Sequence, residues 1–156
     1  MKLLVNNKAP AFSAPDQSDI IHTLADYRGQ WLLLYFYPKD DTPGCTTEAC
    51  SLRDSLPNFK KLDLAVLGVS VDSVGSHEKF SRKYRLTFPL LADADKKIVN
   101  AYGVWRKKKM MGRTYDGTVR TSFLIDPDGR IAKIYEPVKP LVHAGQVLED
   151  LATLTH

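Results

Sequence analysis

The stretch KDDTPGCTTEAC, residues 39–50, contains both cysteines of the chain, Cys45 and Cys50, with four residues between them. A thiol acts as a nucleophile only as its thiolate, so the surroundings of each sulfur decide what it can do. Thr42 is a favoured N-cap and Pro43 a favoured first helical residue, so a helix is predicted to start there. Cys45 then falls in the first turn, where free N–H groups and the positive end of the helix dipole favour a thiolate. Asp40 and Asp41 oppose this, because nearby negative charge disfavours ionisation of a thiol. If Cys45 is a reactive thiolate, a cation from elsewhere in the chain should help hold it. Arg120 is the candidate.

Helical geometry separates the two thiols. At about 100° per residue, Ala49, Leu52 and Leu56 lie within about 40° of Cys45, whereas Cys50 lies roughly 140° away. Cys45 is therefore predicted on the face turned to the protein body. In an intact helix the two Cα atoms would be roughly 8–9 Å apart, beyond the ~7 Å reach of a disulfide. A Cys45–Cys50 bond would require the helix to unwind.

Other readings of the pair exist. Two buried, inert thiols would fit the general preference of cysteine for interiors, although the Thr-Pro-Gly start directly before Cys45 argues against it. Two thiolates on different helix faces do not converge on a metal ion, and His22, His77, His143 and His156 show no ligand spacing. No metal is expected. A thioredoxin-type dithiol would have two residues between its cysteines, not four.

The stretch YPKDDTPGCTTEACSLRD resembles the active-site segment of peroxiredoxins, with Pro38, Thr42 and Cys45 at their Pro-x-x-x-Thr-x-x-Cys positions. A second cysteine five residues on resembles the bacterioferritin-comigratory-protein, or peroxiredoxin Q, subfamily of atypical 2-Cys enzymes. The block GVWRKKKMMGRTYDGTVRTSFLIDPDGRI (103–131) is similar to that subfamily's later region and places Arg120 at its active-site arginine. The segment VKPLVHAGQVLEDL fits its C-terminal helix. The resemblance implies a thiol-dependent peroxidase for hydrogen peroxide and organic hydroperoxides. Cys45 would be the peroxidatic thiolate, becoming a sulfenic acid, and Cys50 would resolve it as an intramolecular disulfide, reopened by a thioredoxin- or glutaredoxin-like donor. Thr42 and Arg120 would hydrogen-bond the thiolate and the peroxide, Pro38 would shield the pocket, and the Gly44 and Cys45 N–H groups would hold the peroxide. No cofactor is implied, and a monomer is the subfamily's usual form.

These residues need elements to hold them. WLLLYFY (31–37) and LDLAVLGVSVD (62–72) read as buried strands, with a helix over 43–56 between them. VGSHEKFSRKYRL (74–86) reads as a helix, FPLLAD (88–93) as a short strand, and KKIVNAYGV as a short helix stopped by Gly103. RTSFLIDPDGRIAKIYE (120–136) reads as a hairpin around DPDG, and residues 141–154 as an amphipathic helix. The N-terminal segment suggests a small hairpin and a helical turn. The order predicts an α/β protein of thioredoxin-like fold, with a mixed central sheet flanked by helices and an N-terminal hairpin extension. Residues 1–156 would be one domain.

Composition narrows the function classes. The chain has 156 residues, 44% hydrophobic and 26% charged, with a net charge of +4, which suits an anionic partner without demanding nucleic acid. The run WRKKKMMGR (105–113) lacks the aromatic interleaving of a nucleic-acid surface and is read as a solvated loop near the active site. Trp105, Met110 and Met111 would line a hydrophobic edge there or pack in the core. Glu48 is read as a solvated helix residue. The longest apolar run, Trp31 to Tyr37, is far below the ~18 residues of a membrane helix. MKLLVNNKAP shows no secretion signal, so a cytoplasmic protein is expected. A redox sensor without turnover and a binding module with inert thiols would use the same residues. Peroxide consumption with a dithiol reductant separates the three.

Overall fold

The computed structural model describes residues 2–155. Its centre is a five-stranded sheet in the order β5-β4-β3-β8-β9, built from β3 (Trp31–Phe36), β4 (Leu64–Ser70), β5 (Leu90–Ala92), β8 (Thr121–Ile125) and β9 (Ile131–Tyr135). The β3, β4 and β5 strands run parallel, while β8 is antiparallel to both β3 and β9. The mixed sheet matches the expected α/β class.

Continuous apolar sequence in β3 follows from burial on both sides of the sheet. Side chains alternate between faces, so Leu33, Tyr35 and Tyr37 join one core and Leu32, Leu34 and Phe36 the other. Three helices supply the first core: α1 (Pro43–Lys61), α2 (Val74–Tyr84) and α4 (His143–Leu154) contribute Leu52, Phe80 and Leu151. The short α3 (Lys97–Ala101) and the N-terminal segment cover the second face through Ile98, Val99 and Phe12. The N-terminal hairpin is present as β1 (Ser13–Pro15) and β2 (Ile21–Thr23), followed by a 3₁₀ turn over Leu24–Tyr27.

Two elements differ from expectation. The α1 helix continues beyond Leu56 to Lys61, through Pro57. Proline costs a backbone hydrogen bond inside a helix, but Phe59 in the following turn is fully buried and holds the extra turn against the core. The basic run expected as a loop is a hairpin, β6 (Trp105–Met110) paired antiparallel with β7 (Arg113–Thr118). Its two turn residues, Met111 and Gly112, both have positive φ, at 51° and 78°, as twist-matched two-residue hairpin turns require. A methionine in that conformation gives little turn signal in a sequence. Among the described residues no helix is long and apolar enough to cross a membrane.

Candidate active site

The β3 strand delivers the chain to a loop over residues 37–42, and α1 starts directly after it. Thr42 occupies the N-cap position with extended backbone, and Thr46 N donates to its carbonyl at 2.8 Å. Its side chain is not the predicted cap. The Thr42 hydroxyl donates instead to the Lys39 carbonyl at 2.8 Å, which leaves Oγ1 as an acceptor. The Gly44 and Cys45 N–H groups therefore keep the uncapped, anion-attracting character of a helix start.

Cys45 is 1% exposed and joins Ala49, Leu52 and Leu56 in the core, as the helical spacing predicts. Arg120, which immediately precedes β8, reaches it from the sheet: Nη2 donates to the Cys45 Sγ at 3.3 Å. The other fork of the guanidinium, Nη1, donates to Glu48 Oε1 at 2.7 Å. Burial works against the Arg120 charge, but the Cys45 and Glu48 charges outweigh it and hold its pKa above the usual value. The guanidinium passes close to Gly44. A Cβ there would stand 3.1 Å from Arg120 Nη2 and 3.9 Å from Pro140 Cγ.

Glu48 corrects the expectation of a solvated residue, being 0% exposed. Burial pushes its pKa up to about 7 even though the Arg120 charge and hydrogen bond pull it down. Its Oε2 has no hydrogen-bond partner among the described residues. A sequence signal did exist, since residues three apart on a helix share a face and Cys45 was already assigned inward.

The two aspartates do not face the thiol as feared. Asp40 is buried, and its carboxylate accepts from the Tyr37 hydroxyl, from Ser76 Oγ at 2.8 Å and from His77 Nδ1 at 2.7 Å. His77 Nε2 lies 2.9 Å from the Leu91 carbonyl, which can only accept, so that nitrogen carries a hydrogen. Nδ1 and Asp40 Oδ2 share a hydrogen bond at 2.7 Å, and the pair forms a buried clamp between the loop and α2. Asp72 lies beside them and accepts from Asp40 N at 2.9 Å and Ser70 Oγ at 2.7 Å. Within this cluster Asp40 Oδ2 and His77 Nδ1 are hydrogen-bonded to each other, and Asp72 Oδ2 to Asp40 N and Ser70 Oγ. Asp41 is exposed and pairs with Lys83 at 2.8 Å and the Tyr84 hydroxyl at 2.7 Å; the Lys83 hydrogen bond is the main cause of its lowered pKa.

Cys50 is a free thiol, half-buried, with Arg53 Nη1 3.7 Å from its sulfur. Pro38 is half-buried just past the end of β3. The fold therefore gathers Gly44, Cys45 and Arg120, with Thr42 at the helix start beside them, and adds Glu48. Cys50 stands apart from the group. Such a group can hold a thiolate beside a charged donor and can offer two N–H groups to a small polar ligand.

Residues 5–134 match the AhpC/TSA family. Peroxiredoxin Bcp of Bacillus subtilis is 43% identical over 155 residues, covering 99% of each chain. The crystal structure of a Xylella fastidiosa PrxQ mutant superposes with a TM-score of 0.94 at 37% identity, covering 100% of this chain and 99% of that one. A Xanthomonas campestris bacterioferritin comigratory protein, studied for its alkyl peroxide reduction activity, is 39% identical with a TM-score of 0.88, covering 93% of this chain and 92% of that one. These likenesses carry the thioredoxin-like fold and the thiol-dependent peroxidase activity. The chain belongs to the AhpC/TSA family, as a peroxiredoxin of the Bcp/PrxQ kind.

Proposed function

We propose that Cys45 is the thiol that reacts with hydrogen peroxide and organic hydroperoxides, and that Cys50 resolves the product. The observation that carries this reading is the 3.3 Å contact between Arg120 Nη2 and the Cys45 sulfur, at a helix start with uncapped N–H groups. A charge-assisted donor there stabilises the thiolate and the negative charge that develops on the oxygens. The Cys45 thiolate attacks one oxygen of ROOH, the S–O bond forms as the O–O bond breaks, and RO⁻ leaves as ROH after taking a proton. The Gly44 and Cys45 N–H groups orient the peroxide, and Thr42 Oγ1, its own hydrogen committed to Lys39, accepts from the hydroperoxide O–H. Pro38 covers the pocket mouth.

The resulting sulfenic acid would be attacked by Cys50, with water leaving as the S–S bond forms. A thioredoxin-like dithiol then returns both cysteines to thiols by exchange. The alkyl peroxide reduction of the Xanthomonas relative supports organic hydroperoxides as substrates.

Single-turnover kinetics with each cysteine replaced test the division of roles. Cys45→Ser should not consume peroxide at all. Cys50→Ser should react once, stop at sulfenic acid and overoxidise readily. Activity of Cys45→Ser near that of the unaltered protein would remove the assignment, and equal loss of the first turnover in both variants would remove the division. Sustained peroxide consumption with a dithiol donor would also separate an enzyme from a redox sensor.

A further inference from the structure

Arg53 lies one turn after Cys50 on α1, so the two side chains share a face of the helix. Its guanidinium is held by two partners. Nε and Nη2 donate to Asp54 Oδ1 at 3.0 and 2.9 Å, and Nη1 donates to the carbonyl of Tyr84. The same Nη1 stands 3.7 Å from the Cys50 sulfur. Tyr84 is the last residue of α2, and the final carbonyls of a helix have no partner within it. A cationic donor suits that negative end of the helix dipole. Arg53 thus ties the Cys50 turn of α1 to the end of α2 and holds the thiol at that junction.

A Cys45–Cys50 disulfide cannot keep this arrangement. The Cys45 sulfur is buried beside Arg120, on a helix face roughly 140° from that of Cys50. To reach it, Cys50 must leave Arg53, or take Arg53 with it and away from Tyr84. One of the two contacts is lost on either course. A contact made in only one of two states shifts the balance towards that state. The loss therefore falls on the disulfide.

We infer that Arg53 is a positioning residue for the redox couple, holding Cys50 at the α1–α2 junction and so favouring the dithiol over the disulfide. This rests on Cys50 being the thiol that resolves the Cys45 sulfenic acid. The effect belongs to the return step. In exchange with a donor dithiol, the protein S–S bond breaks, the donor's forms, and both protein cysteines end as thiols. Arg53 draws that exchange towards the reduced protein.

The test is the equilibrium of Arg53→Met with mixtures of reduced and oxidised dithiothreitol. Mass spectrometry after acid quenching and alkylation of free thiols reads the fraction of Cys45–Cys50 disulfide. Methionine keeps an apolar stem and removes the donors. Losing one charged hydrogen bond from the dithiol form alone should move the equilibrium about tenfold towards the disulfide, a fall of about 30 mV in potential. Urea denaturation of both forms closes the cycle, and the substitution should destabilise the dithiol protein more than the disulfide protein. An unchanged equilibrium, a shift towards the dithiol, or equal destabilisation of the two forms would overturn the proposal. Absence of a Cys45–Cys50 disulfide in the unaltered protein would instead overturn the role of Cys50, so the two failures are distinguishable.

Discussion

Glu48 Oε1 and Arg120 Nη1 lie 2.7 Å apart, and the same guanidinium places Nη2 3.3 Å from the Cys45 sulfur. The carboxylate grips one fork of the arginine and aims the other at the thiol. Residues 72 positions apart in sequence are thereby joined into one rigid donor. Since the acid is fully buried and its pKa is pushed up to about 7, the arrangement is sensitive to protonation.

Stability should report that sensitivity. The folded-state pKa of Glu48 lies above its ordinary value of 4.5, so the native state binds more protons than the unfolded state between these two limits. The contribution to stability is complete below about pH 4.5 and falls as pH rises towards 7. Urea denaturation across this window should show Glu48→Gln losing less stability with rising pH than the unaltered protein. Parallel curves for the two proteins would contradict the burial argument.

Arg120→Met should slow the reaction of Cys45 with peroxide by about two to three orders of magnitude, the loss typical of one preorganised donor. Stopped-flow kinetics at saturating reductant measure it directly. A change below tenfold would show that the 3.3 Å contact contributes little.

Gly44→Ala separates geometry from helix stability. The new methyl would stand 3.1 Å from Arg120 Nη2, so the guanidinium must shift by a few tenths of an ångström. Alanine is otherwise favoured over glycine in helices by about 0.5–1 kcal/mol. The peroxide step should slow while the denaturation midpoint stays the same or rises. A variant both stable and fully active would show that the close approach is not needed.

His77→Ala should destabilise the protein by about 1–3 kcal/mol, the usual loss when a buried polar group loses its hydrogen-bond partner. The Asp40 carboxylate would keep only its Tyr37 and Ser76 hydroxyl donors. Chemical denaturation at neutral pH measures this. An unchanged stability would refute the clamp.

Disulfide formation should loosen the start of α1. Both cysteines lie within the continuous α1 helix, where five residues of helical turn set them roughly 140° apart. The Cα separation must shrink by about 2 Å or more to reach disulfide geometry. Unwinding would expose the face carrying Ala49, Leu52 and Leu56, which the dithiol form buries. Amide exchange over residues 45–52 should be faster in the oxidised protein. Equal protection in the two forms would contradict this switch.

Much of this protein was legible from local sequence. The apolar run 31–37, the start of α1 at Pro43 and the inward placement of Cys45 beside Ala49, Leu52 and Leu56 follow from periodicity and the preference of proline for the first helical turn. Arg120 was legible through family pattern and not through local physics. Three features depended on tertiary structure. Glu48 looks like any solvated glutamate until Arg120 is brought across to it. Asp40 and Asp41 look adverse to a thiolate until His77 and Lys83, on another helix, engage their carboxylates. Lys108 is one of four adjacent basic residues until the β6–β7 register turns it inward and ties it to Thr118. Helix and strand patterns depend on neighbours a few residues apart, so sequence reveals them. The state of a charge depends on which distant group the fold places within a few ångströms of it and on how much water the fold removes.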